Sequence, residues 1–190
     1  MLEACHISSG MEAAVDLANT WKPVKGEDTL ETAEQLQEFL ADHPSVGWGS
    51  GTGASRRLTR ADLTEVRALR ETVRRVLEQS STDAVAAAAL INDGLRRSHA
   101  TPVLRHEDGR WWTVVAADTD RCAAHLAATT LSALARVIAT LGPTRLGVCA
   151  GPRCRATYVD LSRNGSKQYC TRTCAHRASV AAYRSRHSTS

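Results

Sequence analysis

Aromatic side chains are scarce in this 190-residue chain, which has one Phe, three Tyr and four Trp. Alanine and leucine dominate the 43% of residues that are apolar, a mix that favours helices. No run of about eighteen apolar residues exists, so no membrane span is expected. The N-terminus, MLEACHISSG, carries Glu3 and lacks the apolar stretch of a secretory signal. Without such a signal, six cysteines point to a reducing cytoplasm, where thiols hold metals more often than they pair as disulfides. There is no Ser-His-Asp set, HExxH motif or Gly-rich phosphate loop, and the seven histidines have no ligand spacing, so catalysis is not expected.

Acidic residues are missing from one end. The net charge of +4 hides a division: residues 1–144 hold 15 Lys/Arg against 19 Asp/Glu, or −4, and residues 145–190 hold 9 against Asp160 alone, or +8. Four thiolates and one Zn²⁺ would lower that last figure only to +6. Such asymmetry implies a polyanionic partner for the basic end.

What is present reads as a mainly α fold with a minor β component. Val15 to Thr20 forms a short buried element. A helix is predicted over about 32–42, where Thr32 and Gln35 have capping-box spacing and Leu36, Phe39 and Leu40 share a face. Glycines make 44–53 a loop. A second helix starts after Thr59, with Asp62 completing its cap and Leu63, Val66, Val73 and Leu77 forming its stripe to about Gln79. A third, about 83–97, carries Val85, Ala88, Leu90 and Ile91. Val103–His106 and Trp111–Val115 flank Asp108-Gly109, a hairpin signal. A long helix, about 119–141, carries Leu126, Leu134, Val137, Ile138 and Leu141 and stops at Gly142-Pro143. The division is placed there: a helical domain over 1–144 and a basic module over 145–190.

Within that module, Cys149 and Cys154 form one close pair and Cys170 and Cys174 another. This is the layout of a closed tetrahedral zinc site. Gly151-Pro152 permits the knuckle turn, and Asn164-Gly165 suits a hairpin in which Tyr158-Val159 faces Gln168-Tyr169. Knuckle, hairpin and a helix bearing the second pair make a treble-clef-like finger. Four cysteines with no open position give one structural Zn²⁺; a redox-responsive zinc site and two disulfides are the alternatives. Cys5 and Cys122 lie outside the cluster and read as small buried hydrophobes.

At about 100° per residue, the last helix puts Ala175, Ala178, Ala181, Ala182 and Ser185 on the Cys174 side, a small-residue face fit for close packing. His176, Arg177, Val180, Tyr183, Arg184 and His187 fall on the other side. The candidate nucleic-acid contacts are Arg163, Lys167, Arg172, His176, Arg177, Tyr183, Arg184 and Arg186, with Arg177 and His176 nearest the bases and DNA as the partner. The alternative is a protein-interaction zinc module docking on an acidic partner.

At these residues the chain resembles the CGNR zinc-finger family of bacterial stress-induced transcription regulators. The hairpin reads Tyr158-Val159-Asp160-Leu161-Ser162-Arg163-Asn164-Gly165, and the signature reads Cys174-Ala175-His176-Arg177, with Ala-His where the family has Gly-Asn. Upstream, the Asp16-Leu17-Ala18-Asn19-Thr20 run, the Leu58-Thr59 to Arg70 helix and Leu90-Ile91-Asn92 resemble its ABATE-type N-terminal domain. The resemblance implies DNA-binding transcriptional regulation. The N-terminal domain would then sense a small-molecule effector or form a homodimer. Asp16, Asn19, Arg70, Asn92 and Trp111 are the candidate ligand pocket; the competing reading pairs Asp16 with Arg70 structurally and uses the Asn residues as turn caps.

Overall fold

The computed structural model describes residues 2–46, 57–107 and 109–187, leaving aside the side chains of 2–8, 107 and 186. The chain runs α1 (Leu2–Asn19), β1 (Trp21–Lys22), β2 (Glu27–Asp28), α2 (Ala33–Asp42), α3 (Arg60–Gln79), α4 (Ala84–Arg97), β3 (Ala100–Glu107), β4 (Arg110–Ala117), α5 (Cys122–Leu141), β5 (Leu146–Val148), β6 (Thr157–Val159) and α6 (Arg172–His187). The fold is mainly α, with small antiparallel hairpins, as the composition implies.

Local signals placed several elements. The Thr32 and Thr59 hydroxyls accept the backbone N–H groups of Gln35 and Asp62, whose side chains close both capping boxes. The β3–β4 register pairs Glu107 with Arg110 on either side of the expected hairpin turn, of which Gly109 is described and Asp108 lies outside the described residues. Gly142 ends α5, with its N–H on the Ile138 carbonyl. The expected boundary at residue 144 falls in the short 3-10 turn Pro143–Arg145. Most of the expected glycine-rich loop, from Gly47 onward, lies outside the described residues; Pro44–Val46 is a 3-10 turn.

Other expectations are corrected. The buried element at Val15–Thr20 is the end of a much longer helix, α1, which buries Met11, Ala13, Ala14, Leu17 and Ala18. A Cβ on Gly10 would come within 3.0 Å of the Ala133 Cβ, so α1 and α5 touch through small residues that leave little hydrophobic period in the sequence. α4 turns Ala87 and Ile91 inward, whereas Val85 is 82% exposed. α5 begins at Cys122, later than expected, and Leu141 at its end is exposed.

α5 is long and apolar enough to cross a membrane by length and composition, although polar residues interrupt every apolar run. Most of it is buried within the protein, packed against α1, α3 and α4 as the central core helix. The core joins Leu17, Leu36, Val66, Val73, Leu77, Ile91, Leu126, Leu131 and Leu134 to Leu146 of β5. The first strand of the basic module is therefore anchored in the helical body.

Candidate metal centre and basic helix

β5 and β6 form the ladder that holds the knuckle. Leu146 pairs with Val159, Gly147 with Tyr158 and Val148 with Thr157, and the Cys149 N–H extends it to the Ala156 carbonyl at 2.8 Å. The partner expected for Tyr158-Val159 was Gln168-Tyr169; the structure gives them Leu146–Val148 instead. The 160–167 segment closes by another device. The Asp160 carboxylate accepts the backbone N–H groups of Ser162 and Lys167, each at 2.9 Å, and the Arg145 guanidinium donates to the Ser162 carbonyl. Gly165 has a φ of +60°, which a side chain would strain, and its own N–H returns to the Ser162 carbonyl. The Ala150 N–H then takes the Gln168 carbonyl at 2.9 Å, bringing Cys170 beside the knuckle.

Thr171 caps α6: its hydroxyl accepts the Cys174 N–H at 3.2 Å and its carbonyl accepts the Ala175 N–H. Cys174 thus sits in the first turn, with Cys170 just outside the helix. All four sulfurs lie within 4.8 Å of one another. Cys154 Sγ and Cys174 Sγ are each 3.7 Å from Cys170 Sγ. Tetrahedral zinc with Zn–S bonds of about 2.3 Å separates its sulfurs by roughly 3.8 Å, so the cluster fits that ion. The four thiols are free, which sets aside the disulfide alternative.

Electrostatics support the same assignment. Burial pushes the Cys149 thiol up, but the N–H groups of Cys170 and Gly151 outweigh it and hold the thiol below its ordinary range. Burial holds Cys154 and Cys170 above theirs, with the neighbouring sulfurs adding to the rise at Cys170. Four thiolates gathered within 4.8 Å of one another repel, and they need a cation among them. Cys149, Cys154, Cys170 and Cys174 would hold one zinc, which supplies cross-linking rather than an open coordination position.

α6 leaves the body as a basic rod. His176, Arg177, Tyr183 and Arg184 are exposed, as is Arg172 at its start. Arg177 and Arg184 lie two turns apart, almost in line, and Tyr183 stacks on His187 with ring centroids 4.1 Å apart. Arg186 belongs to α6, but its side chain lies outside the described ones. Arg163 is exposed on the loop. Lys167 donates to the Val159 carbonyl at 3.2 Å and lies 5.1 Å from the Tyr158 ring centroid. The small-residue face does not pack along its length: Ala175 and Ala178 are half-buried, but Ala181, Ala182 and Ser185 face solvent. Asp160, the module's one acid, is 2% exposed and engaged by its own loop.

The five candidate pocket residues do not converge. Asp16 bonds the His43 ring at 3.1 Å. Asn19 grips the Thr157 backbone. Arg70 pairs with Asp28 at 2.6 Å, not with Asp16, and also donates to the Thr20 hydroxyl. Asn92 is exposed on α4, and Trp111 is 65% exposed on β4, its ring tilted against that of His106. Of the five, Asp16 and Asn19 line a common cavity. Cys122 is buried as expected, and the Cys5 side chain lies outside the described ones.

Sequence reading missed Arg74. Its guanidinium donates to the Arg155 carbonyl at 2.7 Å and the Ala18 carbonyl at 3.3 Å, tying the knuckle to α1. Arg70 and Arg74 both fall on the apolar stripe of α3, and a charge at such a position is the available signal for an internal clamp.

Residues 12–141 match the ABATE family model, described as "Putative stress-induced transcription regulator", and residues 145–187 match the CGNR zinc finger model. Both are regulatory or zinc-finger types, not enzyme families. A search of the curated proteins gave no match. With its sulfur cluster assembled and a family model covering most of its length, the chain belongs to the ABATE family and ends in a CGNR zinc finger.

Proposed function

We propose that this protein regulates transcription by binding DNA through its C-terminal finger, and that residues 1–144 sense a ligand or dimerise. The observation that carries the reading is the charge on the finger's surface. Its one carboxylate, Asp160, is buried and spoken for, so every exposed formal charge contributed by side chains of 145–187 is positive. Arg163, Lys167, Arg172 and Arg184 would dock on phosphates, and Arg177 with His176 would lie nearest the bases. Zinc fixes the start of α6 against the knuckle and so sets the direction in which those side chains project.

The test is selection of bound fragments from a random duplex pool by the zinc-loaded full chain, followed by salt-dependent gel shifts. Enrichment of a shared sequence supports the reading. Failure to retain any duplex at low salt, with retention of an acidic protein partner, would replace it with the protein-interaction alternative.

A further inference from the structure

A cavity of about 510 Å³ opens along the seam between α1, the β1–β2 turn and the zinc module, within the roughly 300–1,000 Å³ typical of small-molecule sites. Val15, Trp21, Val24, Val159 and Leu161 give it apolar walls. Val24 and Leu161 are 51% and 55% exposed among the described residues.

Its charged lining is lopsided, with five cations to two carboxylates, Glu12 and Asp16. Lys22 and Lys25 share one partner, Glu27, at 3.3 and 3.7 Å. Arg153 and Arg155 line the cavity with no acidic partner among the described residues. Lys167 is held by a carbonyl oxygen and an aromatic ring, not by a carboxylate. Apolar walls beside excess cations suit a molecule with an apolar body and an anionic head. A sugar–phosphate backbone would satisfy the cations and leave Val24 and Leu161 uncovered.

We infer that this seam cavity binds a small amphipathic anion, an aromatic or acyl carboxylate, whose apolar part lies among Val15, Trp21 and Leu161 while its head meets Arg153 or Arg155. The inference rests on the ligand-sensing half of the function proposed above and gives that half a site and a ligand class. Cys154, Cys170 and the α6 cap residue Thr171 also line the cavity, so an occupant touches both the helical body and the finger. Binding therefore requires the zinc-folded knuckle.

The experiment is calorimetric titration of the zinc-loaded full chain with 2-naphthoate and with its neutral amide, 2-naphthamide. Saturable binding of the carboxylate, at least tenfold tighter than the amide, is expected. Arg153→Glu with Arg155→Glu should weaken it tenfold or more, and Val15→Trp should fill the cavity and abolish it. Zinc content and helical circular dichroism of each variant verify folding, and chemical-shift changes at the Trp21 indole report the site. Absent saturable binding, equal affinity for acid and amide, or unchanged affinity in correctly folded variants would each overturn the assignment. DNA affinity is measured separately: Val15→Trp should leave it unchanged. A binding site that holds naphthoate without altering DNA affinity would refute the sensing role and leave the site standing.

Discussion

Asn19 and Thr157, 138 positions apart, meet through a reciprocal clamp: the Asn19 amide oxygen accepts the Thr157 N–H at 2.8 Å while its NH₂ donates to the Thr157 carbonyl at 3.1 Å. The side chain imitates one more strand beside β6. It joins the last residue of α1 to the strand that carries the chain away from the knuckle. The same oxygen also lies 3.2 Å from the Thr157 hydroxyl.

Asn19→Ala should cost about 1–3 kcal/mol, the penalty for leaving buried backbone groups unpaired. Asn19→Asp keeps the acceptor but turns an oxygen towards the Thr157 carbonyl, so it should be at least as damaging. Urea unfolding of the zinc-loaded variants measures both, and stability equal to that of the native chain would show that the clamp contributes nothing.

Asp28 and Arg70 are both 4% exposed, and Arg67 adds a second bond to the same carboxylate at 3.0 Å. Burial pushes the Asp28 carboxyl up, but the Arg70 bond, the Leu30 N–H and the charge of Arg67 prevail and hold it below the carboxylate range. Its contribution is complete above the ordinary carboxylate pKa of about 3.9 and is lost as pH falls through the lower folded value. Asp28→Asn should cost on the order of 3 kcal/mol at neutral pH by leaving Arg70 buried and undercompensated. It should also flatten the acid limb of the stability–pH curve. An unchanged acid limb in the variant would contradict this.

His43 should show the opposite dependence. Its bond to Asp16 raises its pKa against the effect of burial, and its other ring nitrogen lies 2.8 Å from the Phe39 carbonyl. The stabilisation is complete below the unfolded value of about 6.5 and is lost as pH rises through the higher folded value. Asp16 is 60% exposed, so the effect is screened and small. Asp16→Asn should remove that drift, and NMR titration of the His43 ring should show its pKa fall. A titration curve identical to the native one would exclude the pairing.

How far the sequence disclosed this molecule depended on the range of the interaction. Capping boxes at Thr32 and Thr59, the β3–β4 pairing and the Gly142-Pro143 stop are written within a few residues, and each lies where its local chemistry placed it. The sulfur quartet was legible because thiol spacing is constrained by the ion itself. The extent of α1 was hidden because Gly10, Ala13 and Ala14 make its packing face with almost no hydrophobic contrast. Asn164-Gly165 pointed to a ladder that does not form, since Asp160 closes that loop with one side chain. The partners of Asp16 and Arg70, His43 and Asp28, depend on tertiary packing that spacing cannot express.

Chelation should separate the two parts. Removing zinc should melt the ordered segment around the four cysteines and reduce circular dichroism by about the contribution of α6. The helical core should keep a cooperative, weakened transition. Cys154→Ser should lose stoichiometric metal, whereas Cys122→Ser should keep it, because the Cys122 thiol is buried beside Asp62 and away from the cluster. Equal metal content in the two variants, read by elemental analysis, would rule out the four-sulfur site.

The most direct test is the salt dependence of duplex binding by the zinc-loaded native chain, Arg177→Ala and Arg184→Ala. Each substitution should weaken binding and leave the zinc content intact. It should also reduce the slope of log K against log salt by about 0.9 for each phosphate that is no longer neutralised. Native affinity and native slope in both variants would contradict the placement of this helix on DNA.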